Sequence, residues 1–154
     1  MPTSYEDAYE SLRRAQEGIA ELKDKPTKEE KYACLRVSFY RIYQAANIAN
    51  MCYEASCFEG YASQGGATDR IWREVSDFLH ASRYCHTLLD LEDDESIVGE
   101  CEKWLVRARS FVDAVKAEEA KSTNLQYARM PEQQDWSLIT KDGVPLKADM
   151  LNRR

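Results

Sequence analysis

The sequence predicts an all-α protein, an antiparallel four-helix bundle followed by a C-terminal extension that contains a short β-hairpin. Three observations predict it. Apolar residues recur at steps of three and four through most of residues 4–121. Proline, glycine and acidic clusters divide that pattern into four segments, and the connectors are short enough for antiparallel neighbours. After Lys121 the helical period stops and turn chemistry replaces it. With 154 residues the chain fits one domain plus an appended segment, so the expected organisation is a helical bundle at 1–121 and an extension or arm at 122–154.

The first helix is expected over residues 4–23. Tyr5, Tyr9, Leu12, Ala15, Ile19 and Leu22 share a face, Thr3 or Ser4 caps it, and Glu6 and Asp7 suit its first turn. Pro26 ends the segment "KDKPT". The second helix begins at Thr27, where Thr27 and Glu30 form a capping box, and runs to about Glu59. Its second half, "FYRIYQAANIANMCYEASCF", is apolar on nearly every side, which predicts a central helix buried all round or covered by a second copy. "GYASQGGAT" breaks it. The third helix is expected over about 68–89, with Trp72, Val75, Leu79, Ser82, His86 and Leu89 on one face. Asp94 or Ser96 caps the fourth, over about 96–121, whose apolar face reads Ile97, Cys101, Trp104, Leu105, Ala108, Phe111, Val112 and Val115.

In the extension, "WSLITKDGVPL" reads as a hairpin turning at Asp142-Gly143, with Pro145 confining its strand to an edge. Trp136, Leu138 and Ile139 need a surface to cover them, either the chain's own bundle or another chain. The acidic excess lies in the bundle, because residues 122–154 carry five basic and four acidic side chains.

A net charge of −6 disfavours nonspecific binding to nucleic acid or anionic lipid. No apolar run approaches the roughly 20 residues of a membrane span, and the acidic N-terminus is unlike a signal peptide. Five cysteines, Cys34, Cys52, Cys57, Cys85 and Cys101, lie within helical patterns without zinc spacing. They read as reduced thiols in a core, and hence as a cytoplasmic protein. No metal or cofactor is expected. A di-iron bundle needs several Glu-x-x-His elements, and Asp77-x-x-His80 is a single half-motif. The glycines at "YASQGGATDR" follow a helix and lack the Lys-Ser/Thr of a phosphate loop.

"REVSDFLHASRYCH", residues 73–86, carries both histidines. A projection at about 100° per residue puts His86 on the apolar face, as a core histidine, and His80 on the opposite side. With His80 lie Arg73, Asp77 and Tyr84, and Asp77 can pair with Arg73 and with His80. This stripe is either a solvated face, a partner-binding face, or a catalytic face completed by a second protomer. An imidazole held by a carboxylate can act as a base and a guanidinium can hold a phosphate, the parts needed to cleave RNA through its 2′-hydroxyl.

"SFYRIYQAANIANMC" and "CEKWLVRARSFVDAVKAEEA" resemble the corresponding helices of HEPN (higher eukaryotes and prokaryotes nucleotide-binding) four-helix domains, over about residues 5–120. Ribonucleases of that family carry an Arg followed a few residues later by a His, with a polar residue after the Arg. Arg73, Glu74 and His80 fit that pattern at its longest spacing, and the interval from Arg83 to His86 is too short. Other members lack the motif and serve as binding or antitoxin-like modules.

The expected function is non-enzymatic. The chain would bind another macromolecule, most simply another protein or a second copy in a homodimer, as an inhibitor, adaptor or antitoxin-like module. Arg73, Asp77, His80, Tyr84 and Trp136 would supply contacts. The alternatives are a dimeric, metal-independent HEPN-like ribonuclease, with His80 as base, Arg73 as phosphate clamp and RNA as substrate, and a structural subunit of a larger assembly.

Overall fold

A computed structural model describes residues 4–59 and 66–129, and these are helical nearly throughout. Four α-helices, α1 (Tyr5–Ala20), α2 (Lys28–Glu59), α3 (Gly66–Arg83) and α4 (Asp94–Arg129), are joined by 3-10 segments at Leu22–Asp24 and Cys85–Asp90. The expected hairpin, Trp136 and the rest of the arm beyond residue 129 lie outside the described residues. α4 itself continues past the expected boundary at residue 121, to Arg129.

Local chemistry explains most of the ends. The backbone N–H of Ser4 donates to the Asp7 carboxylate at 2.9 Å, which satisfies a donor that the first turn of α1 would otherwise leave free. At the start of α2 the N–H of Glu30 donates to Thr27 Oγ1 at 3.1 Å, and the Thr27 hydroxyl reaches the Glu30 carboxylate. α4 is capped by Asp93, not by Asp94 or Ser96: Asp93 Oδ1 accepts from the Ser96 N–H at 2.7 Å. That backbone bond holds the Asp93 carboxyl below the usual carboxylate range.

α3 stops at Arg83, six residues before its expected end. The hydroxyls of Ser82 and Thr87 donate to the carbonyls of Leu79 (2.7 Å) and Tyr84 (3.0 Å). Such bonds to a carbonyl three residues back offer the backbone an alternative to the α-helical ladder. The chain tightens into a 3-10 screw, and this changes which residues face inward.

Contacts between helices set their directions. Ser11 of α1 meets Arg41 of α2, and Gly18 meets Cys34, so these two helices are antiparallel. Tyr5 and Tyr9 reach Glu119 and Asp113 of α4, which is therefore also antiparallel to α1. Lys31 pairs with Asp94 and Phe39 packs on Trp104, so α2 and α4 run parallel. α2 touches all three other helices, while α1 and α3 do not meet. The result is an up-down-up-down bundle compressed along the α2–α4 diagonal.

Small residues permit the tight α1–α2 contact. Ser11 Oγ donates to the Arg41 carbonyl at 2.8 Å and Cys34 Sγ to the Gly18 carbonyl at 3.0 Å. Ala8 and Ala15 on α1 and Ala45, Ala46 and Ala49 on α2 are fully buried. Bulky groups fill the opposite side of α2. Phe39, Phe78, Phe111 and Trp104 form an aromatic cluster with centroid separations of 5.7–6.2 Å. Burying one such ring stabilises the fold by about 2–3 kcal/mol.

α2 is central, as its sequence implies, but it is not buried all round. In its second half Tyr40 is 53% exposed and Met51 is exposed as well, and Val37, just before that half, is 49% exposed. On α3 the buried face is Ile71, Val75 and Phe78, and Trp72, expected inside, is 53% exposed. Phe78 meets Trp104 and Phe111 of α4, and this rolls the helix so that Ile71 points inward in place of Trp72.

Among the described cysteines Cys85 and Cys101 are buried and Cys34 is half-buried, all as free thiols. Desolvation pushes all three thiols up, that of Cys101 to about 12. No helix among the described residues is long and apolar enough to cross a membrane.

Two predictions follow from this packing. A Cβ added at Gly18 would sit 2.5 Å from Ser38 Oγ. Gly18→Ala should therefore destabilise the fold by about 1–2 kcal/mol in urea denaturation, because overpacking at the seam outweighs the gain in helix propensity. Gly18→Ala/Ser38→Ala should recover the loss, and a fully stable single variant would show that the seam has slack. For Cys101, an unfolded thiol loses its proton near pH 8.5 and the folded one near 12, so stability is complete below about pH 8.5 and declines as pH rises toward 12. The melting temperature should fall less between about pH 9 and pH 11 in Cys101→Ala than in the parent.

Candidate functional site

Arg73, Asp77, His80 and Tyr84 are all exposed on α3 and at its C-terminal end, so the polar stripe does face outward. Its pairing is different from the expected one. Asp77 pairs with neither Arg73 nor His80. Its carboxylate accepts from Arg107 of α4 at 2.8 Å, and the same guanidinium bonds Glu74 at 3.1 Å. Arg107 also lies over the rings of Trp104 (5.0 Å) and Phe78 (5.3 Å). Burial works against its charge, but the hydrogen bonds it donates to Glu74 and Asp77 more than offset this and hold it above the ordinary arginine value. The Asp77 carboxylate is therefore a strut between α3 and α4 rather than an orienting partner for His80.

His80 instead stacks on Tyr84, with centroids 5.9 Å apart and planes 20° from parallel. Tyr84 in turn meets His86 at 6.4 Å, His86 meets the edge of Tyr32 at 6.2 Å, and Arg36 lies over Tyr32 at 5.9 Å. A continuous line of rings thus runs from α3 across the 3-10 segment onto α2. His86, expected in the core, is exposed, and Cys85 takes the buried position. The projection of a single α-helix through residue 86 separated the two histidines. The 3-10 turn after Arg83 brings them to either side of Tyr84. The serine and threonine that end the helix were the available signal, because their side chains compete with the backbone ladder.

Beside this line lies a groove of about 730 Å³. α2 supplies Tyr32, Ala33, Arg36, Val37 and Tyr40, and α3 supplies Leu79, Ser82 and Arg83. None of the four α2 and α3 residues Tyr32, Arg36, Val37 and Arg83 was among the expected contact residues. Neither Arg36 nor Arg83 enters an ion pair among the described residues, although Lys31 next to Tyr32 is held by Asp94 at 2.8 Å. A second, smaller cavity of about 140 Å³ lies between the N-terminal half of α3 and the middle of α4, spanned by Arg70 and Glu118 at 3.8 Å.

Among the described residues, no group of three His, Cys, Asp or Glu side chains is arranged to hold a metal ion. The five-member line of His80, Tyr84, His86, Tyr32 and Arg36 offers stacking surfaces and a cation, which suits recognition of a partner surface. No family model matches the chain, and neither a curated protein nor a solved structure matches it.

Proposed function

We propose that this protein is a non-enzymatic binding module that acts by docking another protein on the face formed by α2 and α3, as an inhibitor, adaptor or antitoxin-like component. The observation that carries this reading is the groove between those helices, where Val37 and Tyr40 stand open to water beside Leu79, Arg36 and Arg83. Isolated exposed apolar side chains are ordinary on any protein surface. Here Ala33, Val37, Tyr40 and Met51 share one exposed or half-buried face of α2 with the amides of Gln44 and Asn47, at alternating steps of four and three. Tyrosine and arginine at such a face are the residue types that dominate binding energy at protein interfaces.

A photocrosslinking residue placed at Val37 tests the reading in the native cell, with Val106 on the outer side of α4 as an exposed control. A discrete adduct is expected from position 37 and none from position 106, and Tyr40→Asp should abolish it without loss of helical circular dichroism. An adduct of twice the chain's mass would identify the partner as a second copy. Absence of any adduct from position 37, or equal adducts from both positions, would refute the docking face.

A second reading, a HEPN-like ribonuclease, is favoured by one feature. Arg73 and His80 are both exposed on α3, about 10 Å apart along its axis, and no carboxylate among the described residues pairs with either. Incubation with total RNA should then show cleavage by the parent and none by Arg73→Ala/His80→Ala. Intact RNA in both reactions at high protein concentration eliminates this reading.

A further inference from the structure

We infer that the α2–α3 groove receives an acidic amphipathic helix, whose carboxylates are held by Arg36 and Arg83 and whose apolar side chains lie on Val37, Tyr40 and Leu79. The inference rests on the binding-module reading above and names the chemistry of the partner.

Charge argues for an acidic occupant. The chain has 27 acidic and 21 basic side chains, so carboxylates are plentiful. Several cations are closed by them: Arg13 by Glu10, Lys31 by Asp94, Lys103 by Glu100, and Arg107 by Glu74 and Asp77. Arg36 and Arg83 line the groove from its two opposite walls, and neither has a carboxylate within ion-pair distance among the described residues. Two guanidiniums lining one groove, with no carboxylate among the lining residues, concentrate positive charge there on a chain whose net charge is −6. A carboxylate entering between them gains charge-assisted hydrogen bonds, and partial desolvation by the groove walls strengthens these. The exposed imidazoles of His80 and His86, joined through Tyr84, extend the donor-rich side of this end of the bundle.

Shape argues for a helix. Both walls are α-helices, whose backbone groups are satisfied internally and present no sheet edge for an extended peptide. On the α2 wall Ala33, Val37 and Tyr40 stand at the steps of four and three that a facing helix reads with its own apolar stripe, and Gln44, Asn47 and Met51 continue the same face. It extends over about 27 Å, or five turns. A small anion would leave Val37, Tyr40 and Leu79 uncovered. A second copy is a poor complement, because the same α2 face with Arg36 contains no Asp or Glu and would bring arginine toward arginine.

The test uses the full chain and two labelled helical peptides of about five turns. One carries Leu at alternating steps of three and four with Glu on the flanking positions, and the other has Lys in place of every Glu. Fluorescence anisotropy should show saturable binding of the acidic peptide and much weaker binding of the basic one. Arg36→Glu/Arg83→Glu should weaken the acidic peptide about tenfold or more and reverse the preference. Both positions are exposed, so the variant should retain its helical circular dichroism, and Arg36→Gln/Arg83→Gln gives the same loss without reversal if it does not. Equal binding of both peptides, indifference to charge reversal, or no saturable binding below roughly 1 mM would overturn the inference. So would self-association that the acidic peptide fails to displace, which would assign the face to a second copy. If the crosslink from position 37 persists while the acidic peptide fails, only the partner chemistry named here falls. If both fail, the docking face falls with it.

Discussion

The seam between α1 and α2 is the constraint on which the rest of the bundle depends. Two helices approach this closely only where side chains are small, and here a serine and a thiol donate directly to backbone carbonyls of the opposite helix. Gly18 lies where even a methyl group would meet Ser38. With α1 drawn tight against one side of α2, the bulky residues of α2 fall on the other side, where α3 and α4 must accommodate them. Phe39, Phe78, Trp104 and Phe111 fill that space, and α2 and α4 come into contact across the bundle. The same compression keeps α1 and α3 apart.

α3 is consequently held from one side by α2 and from the other by a narrower contact with α4. Arg107 reinforces that contact by bonding two carboxylates of α3 while its guanidinium covers two aromatic rings. With no further helix over them among the described residues, the outer edges of α2 and α3 remain open to water. The groove is thus a consequence of the bundle's flattened cross-section, and the arginines on its walls give it a sign of charge opposite to that of the chain as a whole. The polar stripe of α3 is in part a structural strut, through Asp77, and in part the start of an aromatic line that leads toward the groove.

How much was legible beforehand can be judged element by element. The spans of α1 and α2 and the apolar face of α4 followed from residue spacing and capping pairs, since these are local interactions between residues three and four apart. The outward placement of His80 followed in the same way. His86 did not, because a helix end forced by Ser82 and Thr87 changes the screw, and every projection beyond it inherits the error. Trp72 was misplaced for another reason. Ile71–Val75–Phe78 and Trp72–Val75–Leu79 are both acceptable apolar rows, and only the rings of α4 choose between them.

By itself, the order of residues determined that this chain is helical, where most of its helices begin, and that the second is either central or covered by a second copy. Those properties depend on hydrogen bonds and apolar periodicity within single segments. Tertiary structure alone decided that Arg107 would claim Asp77, that two histidines would share Tyr84, and that Arg36 and Arg83 would face one groove without carboxylate partners among the described residues. Each of these joins residues from different segments, and their distances are set by how closely the helices can pack rather than by any spacing along the chain.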